Sequence, residues 1–174
     1  MVPQETYFPS GDHATLVTGV LVTIGIVFTA PLASLFAGDY AAVPGKLELT
    51  IQELQKQGVK VEHVHVMSGF RTPRYNAGSG NTSGRANLSR HMYGDGADVY
   101  VDNNRDGHPD DITGDGRVTV RDAEKFAAAA ERVESKHRSL IGGIGIYVAC
   151  CGHGPFTHID VRGSRARWRG SGSG

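Results

Sequence analysis

Between Lys46 and Gln57 the apolar residues Leu47, Ile51 and Leu54 recur at intervals of three and four, and Gly58 follows. This spacing places them on one face and predicts an amphipathic helix, introduced by the turn signal Ala42-Val43-Pro44-Gly45 and stopped at Gly58. From Val59 to Met67 the period changes to two: Val61, His63 and His65 face one way, Val64 and Val66 the other, as in a strand. A second helix is predicted from Ala123 to about Lys136, where Phe126, Ala130 and Val133 share a face. Strand character returns in Gly96 to Val101, in the glycine-rich Gly142 to Val148 and in Phe156 to Val161.

The segment Ala14 to Ala37 breaks this alternation, with 24 positions and no charge. It is long enough to span a bilayer. Met1 to His13 contains no Lys or Arg and no clean small-x-small cleavage site precedes Asp39, so an uncleaved anchor fits better than a cleaved export signal. Its Val, Ile and Thr content, punctuated by Gly19 and Gly25, offers a β-hairpin of the core as the alternative, which length and lack of charge rank below an anchor or export signal. The 174 residues suit one domain with appendages: an N-terminal segment 1–41, a domain 42–168 and a flexible tail 169–174. Lys+Arg and Asp+Glu balance at 18 each, which gives no support to nucleic-acid binding, and the basic Arg162, Arg165, Arg167 and Arg169 read as a solvated end. Cys150 and Cys151 are adjacent, so no disulfide framework is implied and the pair reads as small buried hydrophobes.

Candidate chemistry concentrates in Ser89-Arg90-His91-Met92-Tyr93-Gly94-Asp95-Gly96-Ala97-Asp98 and in Thr157-His158-Ile159-Asp160. Imidazole and carboxylate are zinc ligands, and His91, Asp98 and His158 would leave a fourth position for water, as a catalytic zinc requires. Gly94 and Gly96 let the chain fold back between the first two. Arg71, on the loop Ser68-Gly69-Phe70-Arg71-Thr72-Pro73, is placed to clamp a carboxylate or stabilise an oxyanion. Asn76 to Ser83 reads as a loop bordering a cleft, and His63 and His65 as half-buried strand residues outside the ligand set.

A second kind of metal site is predicted between 102 and 122. Asp111, Thr113, Asp115, Arg117 (through its carbonyl), Thr119 and Asp122 fall at the ligand positions of an EF-hand-like calcium loop, with Gly116 at its sharp turn. Thr113 stands where Asp or Asn is usual. Asp122 replaces the usual Glu, a dockerin-like feature. Asp102, Asn104, Asp106 and Asp110, with Gly107, repeat the first half of the pattern as a possible second calcium site. Calcium there would pin an inserted loop to the following helix.

Taken together, Ser68-Gly69-Phe70-Arg71, Ser89-x-His91-x-x-Gly94-x-x-x-Asp98 and His158-x-Asp160 resemble the motifs of the zinc peptidases grouped with D-Ala-D-Ala carboxypeptidases, lysostaphin and Hedgehog. Within that group the likeness is to the bacterial branch with a His-x-Asp second motif, and it covers roughly Lys46 to Trp168. The resemblance implies an α+β fold of the Hedgehog/DD-peptidase type, with a central antiparallel sheet flanked by helices. It implies zinc on His91, Asp98 and His158, Arg71 against substrate, and hydrolysis of peptidoglycan stem peptides in the cell envelope. A monomer is expected. Many members have alanine at the position of Gly96, and several place an acidic base where Pro155 stands here. His153 matches a base position of other members, with Asp160 as a second candidate base or as the orienter of a ligating imidazole. The departure at Pro155 motivates an alternative: a non-catalytic, metal-containing module that binds wall peptide or a protein partner.

Overall fold

The computed structural model describes residues 15–17, 20–23, 26–29, 42–78, 86–150 and 152–170. In the N-terminal segment, β1 (Thr15–Val17), β2 (Val20–Thr23) and β3 (Ile26–Thr29) form an antiparallel three-stranded meander. The β reading of 14–37 therefore describes these residues, and a single continuous helix does not. Among the described residues no helix is long and apolar enough to cross a membrane. The rest of the anchor-or-signal segment lies outside the described residues, as do most of the 76–83 loop, Cys151 and the last four residues of the tail.

Helix α1 (Ala42–Lys56) begins four residues before the predicted start. Ala42-Val43-Pro44-Gly45 form its first turn, where proline is tolerated because its missing N–H would have no intrahelical partner. Leu47, Ile51 and Leu54 are buried as their spacing requires, and Gly58 ends the helix at φ +79°. Strand β4 (Val64–Ser68), the short helix α2 (Pro73–Gly78), a 3-10 turn (Arg90–Tyr93) and β5 (Gly96–Val101) follow. Helix α3 (Val120–Lys136) is entered through a capping box. Thr119 accepts the Arg121 amide, and Asp122 accepts the Thr119 amide at 2.7 Å. A 3-10 turn (Arg138–Leu140) leads to β6 (Gly143–Tyr147), β7 (Phe156–Asp160) and β8 (Ala166–Gly170).

These strands build an α+β domain on a five-stranded sheet of order β4-β5-β7-β6-β8. The sheet is mixed rather than antiparallel throughout, because β8 runs parallel to β6. Within the C-terminal run read as a solvated end, Arg165 and Arg169 are indeed exposed, whereas Arg162 and Arg167 are largely covered, which corrects the reading for those two. Arg167 pairs with Glu131 and Glu134, and Arg169 with Glu124, which fastens the edge strand to α3. Cys150 is disulfide-bonded and half-buried, not a packed thiol, at the tight turn where its amide and carbonyl pair with those of His153.

Strand alternation divides the sheet into two faces. Val99, Val101, Ile144, Ile159 and Val64 turn to one side and pack beneath α1 and α3 with Leu54, Phe126 and Ala130. Burial of a side chain such as Phe126, 2% exposed, contributes about 1.5–3 kcal/mol, so this face supplies the cohesion of the domain. The other face carries the polar and aromatic residues. The register aligns Ser68 with Asp98, Asp98 with His158, His158 with Gly145, and Gly145 with Trp168. One row therefore crosses all five strands, and the candidate site lies along it.

Candidate metal centre

Asp98 and His158 are direct cross-strand partners on β5 and the central strand β7, so their side chains rise from the sheet together. His91 is brought over them by the 3-10 turn, which Gly94 closes in the left-handed region at φ +73°. His91, Asp98 and His158 are all buried, and one ligand atom from each lies within 4.8 Å of the others. Among the described residues no other group of three His, Cys, Asp or Glu side chains converges in this way.

The atoms facing away from the centre are each committed. His91 Nδ1 lies 2.7 Å from the Gly69 carbonyl, which can only accept, so Nδ1 bears the hydrogen and Nε2 faces Asp98 Oδ2 at 3.2 Å. His158 Nδ1 faces Asp98 Oδ1 at 2.8 Å, while Nε2 is 3.2 Å from Asp160 Oδ2. Imidazoles whose outer nitrogens are held by a carbonyl or carboxylate are the usual support of a metal site, because the partner fixes both ring orientation and tautomer. Two nitrogens and a carboxylate oxygen, buried and pre-oriented, could hold a metal ion.

The electrostatics follow from the same contacts. Burial would raise the Asp98 carboxyl, but the imidazoles of His91 and His158 outweigh it and hold the group well below the ordinary carboxylate range. For His158, burial opposes protonation, yet Asp160 and Asp98 on its two sides raise its pKa overall. Arg71 is 7% exposed. Its Nη2 donates to Asp98 Oδ2 at 3.0 Å and its Nε to Ser68 Oγ at 2.8 Å, so it belongs to the same row and braces the central carboxylate.

Asp160 is fully engaged. The Gly143 amide donates to it at 2.7 Å, the Arg162 amide at 3.1 Å and Arg162 Nε at 2.9 Å, and Arg162 Nη2 completes a bidentate pair. Although burial opposes it, His158, Arg162 and the Gly143 amide keep the carboxyl ionised to well below its ordinary value. This is the environment of an orienting group, since each oxygen already holds a donor. His153 sits on the 150–153 turn with Nδ1 2.8 Å from the Gly154 carbonyl and its ring edge-on to Phe156. Phe156 is two residues before His158 on the same strand face, about 7 Å along it, so His153 stands at the end of the site rather than among His91, Asp98 and His158.

Arg162, Trp168 and the glycines of β6 were not among the candidate residues. The Trp168 ring lies 5.2 Å from that of His158, donates from Nε1 to Tyr147 Oη at 2.8 Å and stacks under Arg162. Space for it exists only because position 145 lacks a side chain, and a Cβ at Gly143 would lie 2.3 Å from Asp160 Oδ2. The run Gly142-Gly143-x-Gly145 was the visible signal, read in the sequence only as a glycine-rich strand.

The two acidic loops are wound alike. Asp111 accepts the amides of Gly114 (2.7 Å) and Gly116 (2.6 Å), and Asp102 those of Asp106 (3.1 Å) and Gly107 (3.1 Å). In each, the glycine five residues after the first aspartate adopts a left-handed φ, +82° at Gly116 and +80° at Gly107. Thr113 Oγ1 donates to Asp111, Asp115 accepts the Arg117 amide, and Asp122 accepts the amides of Ile112, Thr113 and Thr119. Asn104 donates to Asp106, and Asp110 accepts the Asn103 amide. His63 and His65 lie beside these loops: His63 Nδ1 is 2.8 Å from the Asp102 carbonyl, and His65 stacks on Tyr100. No family model, no curated protein and no solved structure matches this chain.

Proposed function

We propose that the chain is a zinc-dependent peptidase of the bacterial cell envelope, acting on peptidoglycan stem peptides through the centre at His91, Asp98 and His158. The observation that carries this reading is the buried His-Asp-His group whose outer nitrogens are held by Gly69 and Asp160. Together with the Arg71 and His-x-Asp motifs, it supports the likeness to the peptidases of the Hedgehog/DD-peptidase type. When bound, zinc supplies Lewis acidity at a scissile carbonyl and lowers the pKa of water.

The side chains divide the remaining work. Asp160 and the Gly69 carbonyl orient the two imidazoles, and Arg71 steadies Asp98 while placing a guanidinium at the site for substrate carboxylate or developing negative charge. Of the two candidate proton carriers, Asp160 is committed to Arg162 and His158, which leaves His153 with that role. Its Nδ1 hydrogen points to the Gly154 carbonyl, so Nε2 is the basic nitrogen of the neutral ring. Calcium in the insertion, on Asp111, Thr113, Asp115, Arg117, Thr119 and Asp122 and on the partial repeat Asp102, Asn104, Asp106 and Asp110, would brace the loop against α3.

Metal analysis tests the centre: the purified chain should carry about one zinc, and His91→Ala should lose it. Peptidoglycan fragments incubated with the zinc-loaded protein should release peptide, with His153→Ala slowed about 100-fold or more. A loaded protein inert on every stem peptide would refute catalysis and favour the binding-module alternative, for which Pro155 in place of an acidic residue is the specific observation.

A further inference from the structure

The β6–β7 ladder runs in register from Tyr147 opposite Phe156 to Ile144 opposite Ile159 and then stops. One step further, the Gly143 amide is opposite Asp160, but it donates to the Asp160 carboxylate at 2.7 Å. The Asp160 carbonyl receives Lys46 Nζ instead, at 2.8 Å, from helix α1 on the other side of the sheet. Lys46 is completely buried and pairs with Glu134 Oε1 at 2.5 Å. Glu134 in turn accepts the Gly142 amide at 3.0 Å and pairs with Arg167. A buried ion pair is a poor source of stability, since apolar side chains of the same volume do as well or better.

We propose that Lys46 is a positioning residue for the metal-centre imidazole: by occupying the Asp160 carbonyl it leaves the Gly143 amide to the Asp160 carboxylate, which then holds His158 Nε2. Without Lys46, the carbonyl competes for the Gly143 amide, the strand rung closes and the carboxylate loses one of the donors that aim it at His158. The proposal rests on the reading of His158 as a metal ligand, but its first readout does not require metal.

The test is Lys46→Met in the full chain. Glu134 keeps Arg167 and the Gly142 amide in this variant, so no unpaired carboxylate is left behind. The exchange of the His158 Nε2–H proton with water, followed by NMR, should quicken about tenfold, and zinc affinity from chelator competition should weaken about tenfold, the lower end for groups supporting a ligand. Lys46→Arg, which restores donors to both Asp160 and Glu134, should recover both. Phe126→Leu, a core change on the far side of the sheet, should lower the melting temperature without altering either. Unchanged Nε2–H exchange in Lys46→Met overturns the proposal whatever the melting temperature does, and so does an equal loss of zinc affinity in Phe126→Leu. If Lys46→Met does not fold, Lys46→Leu, which likewise offers the Asp160 carbonyl no donor, decides, with faster exchange in support and unchanged exchange against. A parent chain that binds no zinc would refute the metal reading alone, because the exchange measurement still reports the link from Lys46 to His158.

Discussion

Replacing Gly145 with alanine tests whether the five-strand row is packed as described. The added methyl would lie 2.4 Å from Trp168 Cε2, 2.5 Å from Nε1 and 2.7 Å from Cζ2. A rigid indole cannot yield these distances by rotating one bond, so Trp168, half-buried on an edge strand, must slide outwards. Overpacking of this kind costs about 1–3 kcal/mol. Loss of the Nε1–H bond to Tyr147 adds about 0.5–1.5 kcal/mol. Against this, alanine restricts the unfolded chain and returns about 0.4–1 kcal/mol. The net destabilisation is about 2 kcal/mol, a fall in melting temperature of about 4–8 °C for a domain of this size. Trp168 is the only tryptophan in the chain, so its emission reports on this contact without interference and should shift to longer wavelength in the native variant. A variant that melts at or above the parent with unchanged emission would show that only the unfolded chain was affected, and the packing of Trp168 over Gly145 would be refuted.

Three further outcomes are expected. Calcium at 100 times its dissociation constant should stabilise the parent by about 2.7 kcal/mol and leave Asp115→Ala unmoved, and equal melting shifts in the two proteins would remove calcium from the loop. In chelator, Thr119→Ala should lose the α3 cap and about 0.5–2 kcal/mol in urea denaturation, whereas a coincident midpoint would mean the cap is not stabilising. Burial, reinforced by the Asp102 and Asp106 carboxylates, pushes the Tyr100 phenol up to about 12. The folded value lies above the unfolded value of ~10, so the contribution of Tyr100 to stability is complete below ~10 and is lost as pH rises towards 12. Phenolate absorbance should accordingly lose its most alkaline step in Tyr100→Phe, and a step retained in the variant would assign it to another tyrosine.

Local patterns made most of the domain legible. The three-and-four spacing of Leu47, Ile51 and Leu54 and of Phe126, Ala130 and Val133 marked the buried faces of α1 and α3. Gly58 marked the end of the first helix, and the strands β5, β6 and β7 were foreseen within a residue or two at each end. Position 44 misled because proline signals a turn and a first helical turn equally well. Arg167 misled because its charge is visible in the sequence, whereas Glu131 and Glu134, which pair with it, are a helix away.

For the candidate site, the sequence alone determined which residue types were available, namely two imidazoles, a carboxylate and an arginine in motifs of fixed order, because side-chain chemistry and local spacing are properties of short stretches. Tertiary structure alone decided that Asp98 faces His158 across β5 and β7 and that Arg71 turns to Asp98. It also decided that Asp160 is bound by Arg162 and the Gly143 amide, and that a lysine on α1 holds the Asp160 carbonyl. The reason is strand register. Side chains alternate with period two, so a slip of one residue between β5 and β7 would send His158 to the helix-covered face. Register is set by the packing of Val99, Ile144 and Ile159 beneath α1 and α3, contacts between residues tens of positions apart.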